Sequence, residues 1–207
     1  PPQQMPADVA LPDPPIVIDY SAQNDGWSKG HGAFAKAMND RKYPLFMYWG
    51  PFGHANNHAN ILKVNDLINS FDWLNINRNE AYPVFTNAST NDQLPWPDNT
   101  DSKKSGQVNA YFRWQNVSEA SETLKMKIFL VTPSDLSTTF TIPKEATADI
   151  SLRRLQELQI GPEADVSWTF GSAHGKVQAD KTGCVTIPGL KMTAKPMTLT
   201  VKPLDGN

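Results

Sequence analysis

The sequence predicts a fold of class α/β plus all-β, in which a parallel βαβα unit precedes an antiparallel β-sandwich of immunoglobulin or fibronectin III type. The first observation is a pair of short apolar runs, PIVIDYSA at 15–22 and YPLFMYW at 43–49, which are typical of buried parallel strands. The second is the helical spacing of apolar residues after each run. The third is a change of period to two beyond about residue 82, which is typical of antiparallel strands.

In the first half, strand and helix predictions alternate. GHGAFAKAMNDRK at 30–42 repeats its apolar residues on one helical face, at Phe34, Ala37 and Met38. NNHANILKVNDLINSFDWLN at 56–75 carries a second apolar stripe of this kind. The order strand, helix, strand, helix predicts two parallel strands joined by a helix.

The second half alternates apolar and polar residues. QVNAYFRWQN at 107–116 and LKMKIFLV at 124–131 are the clearest of about seven or eight such stretches, and turn signals separate several of them. The polar, proline-rich segment 89–106 is interpreted as an exposed linker or long loop. We therefore expect two domains, 1–80 and 81–207.

Side-chain placement follows from the alternation. Trp114 and Trp168 fall on the apolar side of their strands and are expected in the core, whereas Trp96, in LPWPD, is expected to be exposed. Cys184 is the single cysteine, so the chain forms no internal disulfide, and we expect it to be a small strand residue.

Charge and composition limit the function classes. The formal net charge of the 207-residue chain is -2, and neither half has the basic excess that binding to nucleic acid needs. No apolar run is long enough to span a bilayer. Asn, Thr, Ser and Pro are plentiful and charged residues are few, so we expect an exported protein, secreted or periplasmic.

Two loops follow the predicted parallel strands and carry reactive side chains. QNDGWSKGHG at 23–32 contains Asp25, and GPFGHANNH at 50–58 contains His54. Because neighbouring parallel strands end at the same sheet edge, Asp25 can accept a hydrogen bond from one imidazole nitrogen and leave the other as a general base. The alternatives are a helix N-cap for Asp25 and a structural loop residue for His54.

Residues 14–76 resemble the C-terminal end of an α/β-hydrolase, in its serine peptidase and esterase branches. The segment 14–27 is similar to the strand and loop of the catalytic acid, and 28–54 to the following helix, last strand and histidine loop. The resemblance implies that Asp25 is the acid and His54 the base, that esters or peptides are substrates, and that no cofactor is used. The β-rich half is similar to accessory domains of secreted hydrolases.

The resemblance also implies a missing part. In that family the nucleophilic serine precedes the acid on an earlier strand. We therefore expect the nucleophile and the oxyanion hole in an N-terminal portion, from the same precursor or a separate chain, and we expect the isolated chain to be inactive. The alternative function is a non-catalytic binding or assembly module with a hydrolase-like docking half and an adhesive sandwich.

Other polar residues offer weaker chemistry. GWSKG at 26–30 matches the nucleophile pattern G-x-S-x-G around Ser28, but QND separates it from the strand, so a loop or cap serine is the competing interpretation. His54 and His58 have a zinc-like spacing, yet the Glu of H-E-x-x-H is absent and no metal site is expected. We expect His31 to lie at a cleft or on the surface, and His174 on the surface.

Overall fold

The chain is rich in β-structure. The computed structural model describes residues 13–54, 77–96, 104–135 and 141–204. Of these residues, 46% lie in strands and 10% in helices, and the strands form three sheets. The helices are a 3-10 helix (Gly26–Gly30) and α1 (His31–Asp40). The strands are β1 (Val17–Ala22), β2 (Leu45–Gly50), β3 (Tyr82–Thr86), β4 (Gly106–Val108), β5 (Phe112–Ala120), β6 (Thr123–Leu130), β7 (Glu145–Arg153), β8 (Asp165–Phe170), β9 (Ala173–Gln178), β10 (Thr186–Thr193) and β11 (Met197–Pro203).

The first sheet has the order β1-β2-β4. β1 and β2 run parallel, with Val17 opposite Leu45, and β4 pairs antiparallel with β2. One face packs on α1, where Met47 and Trp49 lie with Phe34. Since side chains alternate along a strand, the other face of the sheet turns toward the rest of the molecule. Phe46 and Tyr48 on that face belong to the main core.

The other two sheets are antiparallel. Their orders are β10-β7-β3 and β5-β6-β11-β8-β9, and side chains from both lie in one core that includes Val84, Met126, Ile150 and Val201. This arrangement is compatible with the expected β-sandwich. Within the described ranges, no helix combines the length and the apolar character needed to cross a membrane.

The predicted fold class is wrong, and the resemblance to an α/β-hydrolase is wrong with it. The C-terminal part of that fold needs several helices, whereas the described residues hold a single short α-helix and mainly antiparallel sheets. Among the described residues, the parallel pair β1 and β2 is extended by antiparallel β4, and no βαβα unit is evident. The second helix predicted at 56–75 lies outside the described residues. The division of the chain into two domains at residue 80 stays a prediction.

Two further local predictions are corrected. The strand expected at 107–116 is broken, because Asn109 adopts a left-handed backbone (φ 58°) and its side-chain amide donates to Leu45 O (3.0 Å) and Phe85 O (2.9 Å). Trp96 is 5% exposed and therefore buried, while Trp114 is buried as expected. Long-range contacts decide both cases.

Candidate functional site

The loops after β1 and β2 lie side by side. Beyond the last strand pair, Gln23 N donates to Gly50 O and Asn24 N donates to Phe52 O, each at 3.0 Å. These two bonds continue the parallel ladder into the loops. The residues that follow, Asp25 and His54, are thereby delivered to one end of the sheet.

Aromatic stacking supports the second loop. The Phe52 ring stacks on Tyr20, and Tyr20 stacks on Tyr48, with ring centroids 5.4 Å apart in both pairs. A Cβ added at Gly50 would clash with Cε1 of Phe52, so the chain can turn back over this stack only with glycine at that position. The stack fixes where the backbone leading to His54 lies.

Asp25 caps the 3-10 helix. Its Oδ1 accepts a hydrogen bond from Trp27 N at 3.0 Å, and its backbone carbonyl accepts one from Ser28 N at 3.0 Å. The capping role, which was the alternative for Asp25, is therefore present. It leaves the second carboxylate oxygen available for another partner.

That partner is His54. Its Nδ1 lies 2.8 Å from Asp25 Oδ2, the distance of a good hydrogen bond. The Asp25 side chain is 13% exposed, whereas the His54 side chain is 80% exposed. Because an ionised carboxylate only accepts, a neutral His54 imidazole donates its Nδ1 proton to Asp25 and keeps a lone pair on Nε2. The pair can therefore remove a proton from a group that approaches from the open side.

The same contacts hold Asp25 ionised. The hydrogen bond from Trp27 N lowers the pKa of the Asp25 carboxyl below its ordinary value of 3.8, and the hydrogen bond from His54 lowers it further. A smaller desolvation effect opposes them. At neutral pH the carboxylate is thus an acceptor that orients the imidazole.

Ser28 is occupied inside the turn. Its side chain is buried, its Oγ donates to Asp25 O at 2.6 Å, and the same Oγ accepts a hydrogen bond from Trp96 Nε1 at 3.0 Å. A hydroxyl has one proton to donate, and here it goes to the backbone. These contacts favour the cap interpretation of Ser28 over a nucleophile.

A second Asp–His pair joins β1 to the first residue of α1. Asp19 Oδ2 is 3.4 Å from His31 Nδ1, and the two side chains are 25% and 12% exposed. Among the described residues, His31 Nδ1 has no hydrogen-bond partner. Burial raises the pKa of Asp19 above 3.8, while the nearby imidazole acts in the opposite direction. His31 also packs against Trp96, so it is mostly enclosed and not a solvated surface residue.

The remaining histidines give no further cluster. His174 is exposed on β9, opposite Thr169. His58, which set the zinc-like spacing with His54, lies outside the described residues. In the part of the chain that is described, no three His, Cys, Asp or Glu side chains are arranged to hold a metal ion.

Comparison with protein-family models, with curated proteins and with solved structures found no match. The function is therefore argued from the geometry alone. Sequence patterns missed two parts of this site. Trp27 is exposed although it follows an apolar run by only a few residues, and the stack of Phe52 on Tyr20 needed the sheet register. The sequence signal that could have indicated these two features was the glycine before Trp27, Gly26, and the glycines around Phe52, Gly50 and Gly53.

Proposed function

We propose that this chain supplies the acid and the base of a serine hydrolase that acts on esters or peptides. The observation that carries the proposal is the 2.8 Å hydrogen bond between Asp25 Oδ2 and His54 Nδ1. The proposal does not need an α/β-hydrolase fold, because the Ser-His-Asp arrangement recurs on unrelated folds and is recognised by geometry.

The proposed reaction uses both imidazole nitrogens. His54 Nε2 removes the proton of a serine hydroxyl as the serine oxygen bonds to the substrate carbonyl carbon. The imidazolium then returns that proton to the leaving oxygen or nitrogen as its bond to the carbonyl carbon breaks. Asp25 stabilises the imidazolium through Nδ1. Water, deprotonated by Nε2, releases the acid and restores the serine.

The serine is proposed to come from another portion of the protein or from a partner chain. Ser28 donates its proton to Asp25 O, which makes it the weaker choice. His54 is 80% exposed, so its ring is open to a second polypeptide surface. Export to the periplasm or the outside remains part of the proposal, as it rests on composition only.

The test is turnover of short acyl esters by the intact protein with whatever chain copurifies. His54→Ala should lower kcat/KM by roughly 10²–10⁴-fold, because general-base catalysis contributes about that much. His174→Ala is the matched control, since His174 is an exposed histidine on another sheet. Equal turnover by both variants would contradict the proposal, as would a complete absence of turnover in the native material.

A fluorophosphonate reagent tests the nucleophile separately. It should label one serine in the native protein, and His54→Ala should abolish the labelling. Peptide mapping of the adduct then identifies the serine. A label on Ser28 would overturn the placement of the nucleophile elsewhere.

One observation favours a second function, that of a non-catalytic assembly module. Trp27 and His54 are both strongly exposed at the same end of the sheet, and exposed aromatic residues are enriched at docking surfaces. A partner chain that copurifies, is lost in Trp27→Ala and confers no hydrolysis would support this function over the first.

A further inference from the structure

The side chain of Trp27 is exposed to solvent although it is large and apolar. Its relative exposure is 67%, and among the described residues it is the large apolar side chain that is left open to solvent. Trp49, Trp96 and Trp114 are all at 5% or below. An indole gains favourable free energy from burial, so an open one is informative when other features surround it.

The backbone that carries this indole is held on both sides. Trp27 N donates to Asp25 Oδ1, and the next residue, Ser28, is buried and bonded to Asp25 O through both its N and its Oγ. Trp96 Nε1 then donates to the Ser28 hydroxyl. A tryptophan on a fixed backbone loses little conformational entropy when a ligand stacks on it.

The backbone of Trp27 also lies next to the proposed base. The two carboxylate oxygens of Asp25 accept hydrogen bonds from Trp27 N and from His54 Nδ1. The distance between these two nitrogens is therefore limited to the span of two hydrogen bonds and one carboxylate group. The residues that precede Trp27 and His54 are glycines with open space around them. A Cβ placed at Gly26 meets nothing within 4 Å, and one placed at Gly53 meets only Asn24 O, at 3.7 Å.

We propose that Trp27 is the specificity-determining residue of this site and that the substrate carries an aromatic ring, which stacks on the indole while His54 serves the reacting carbonyl. The indole offers a flat apolar face for stacking, and Gly26 beside it adds no side chain that could bind hydroxyl groups, which favours an aryl group over a sugar. The inference deepens the proposed hydrolase function and rests on it for the reaction, but not for the binding.

The first experiment measures turnover. Trp27→Leu keeps the backbone N–H that binds Asp25 and removes the flat ring. It should lower kcat/KM for methyl 3-phenylpropionate by about tenfold and change that for methyl butyrate by less than about twofold, the range expected when one stacking contact is lost. Trp168→Phe, on β8, is the control and should change neither. An equal loss with both esters would overturn the proposal, because Trp27 would then act only through Asp25.

The second experiment measures binding without turnover. Benzyl alcohol, added to the intact protein at increasing concentration, should shift the indole N–H resonance that disappears in Trp27→Leu. A shift with methyl glucoside but not with benzyl alcohol, or no shift with either, would overturn the aromatic ligand. If His54→Ala retains turnover, the hydrolase proposal fails, and this binding result still decides the role of Trp27.

Discussion

Asp25–His54 and Asp19–His31 are two pairs of the same residue types, and they differ in their environment. Asp19 lies on β1, and Asp25 lies in the loop that follows it. In the first, Oδ2 and Nδ1 are 2.8 Å apart and the imidazole is 80% exposed. In the second, the distance is 3.4 Å and the imidazole is 12% exposed. The first pair has a hydrogen bond and an exposed imidazole, whereas in the described part of the chain His31 Nδ1 has no hydrogen-bond partner and its ring is mostly buried.

The pKa directions of the two carboxyl groups express this difference. Hydrogen bonds to the charged form lower the pKa of Asp25, led by the one from Trp27 N, whereas burial raises the pKa of Asp19. A nearby histidine is therefore not enough to define an acid–base pair. The hydrogen bond and the access of the second nitrogen define it, and the predictions below test that distinction.

The largest expected effect separates the two aspartates by turnover. Asp25→Asn keeps a cap for Trp27 N but cannot stabilise an imidazolium, so kcat should fall by roughly 10²–10⁴-fold. Asp19→Asn should change kcat by less than about threefold, because His31 Nδ1 has no hydrogen-bond partner among the described residues and its mostly buried ring packs against Trp96. Steady-state ester hydrolysis measures both. Similar losses in the two variants would break the comparison.

Sequence patterns predicted the residues of this site because each lies in a short loop directly after an apolar run. The apolar runs located β1 and β2, and the loops after adjacent strands brought Asp25 within hydrogen-bond distance of His54. The hydrogen bond is present, while its catalytic use stays a prediction. Periodicity also located α1, where Phe34 and Met38 are buried.

The same patterns failed where contacts between residues far apart in the chain determine the local structure. Trp96 is buried because its indole N–H donates to Gln23 O and to the Ser28 hydroxyl, partners that lie about seventy positions away. Asn109 breaks a predicted strand because its amide binds Leu45 O and Phe85 O. The fold class failed for this reason as well, since β4 joins β2 from the other half of the chain and no local period encodes such a pairing.

The next largest effect tests the support of His54. Gly50→Ala would drive a methyl group into the Phe52 ring and force Phe52 off Tyr20. We expect a loss of about 1–3 kcal/mol in the free energy of unfolding, as for other overpacked sites. Turnover should fall as well, since His54 follows Phe52 by two residues. Urea unfolding and ester hydrolysis measure the two effects.

Gly26→Ala is the matched control for that variant. Its new Cβ meets nothing within 4 Å, so the free energy of unfolding should stay within about 0.5 kcal/mol of the parent. If Gly50→Ala were equally neutral, the aromatic stack would not be what holds the exposed pair in place.

A smaller effect on the free energy of unfolding should distinguish two buried serines, Ser28 and Ser21. Ser28→Ala removes a donor to Asp25 O and an acceptor for Trp96 Nε1, which keeps Gln23 O at 3.3 Å. We expect a loss of about 1–2 kcal/mol in unfolding free energy with turnover retained. Ser21→Ala should be neutral within about 0.5 kcal/mol, since the buried Ser21 Oγ has no hydrogen-bond partner in the described part of the chain. Loss of turnover in folded Ser28→Ala would instead support Ser28 as the nucleophile.

The smallest effect is a difference in pH dependence. The pKa of Asp25 is lowered on folding, so the unfolded chain binds more protons below pH 3.8, and the stability from this group is lost as the pH falls through its folded pKa. The pKa of Asp19 is raised, so the folded chain binds more protons above 3.8, and its contribution becomes unfavourable as the pH rises through its folded pKa. Urea unfolding between about pH 2 and pH 6 should therefore show that Asp19→Asn gains stability relative to the parent as the pH rises, whereas Asp25→Asn loses it. The stabilities of the two variants, relative to the parent, could instead change in the same direction with pH. Burial and hydrogen bonding would then not distinguish the two pairs as the geometry indicates, because each carboxylate would respond to its histidine alone.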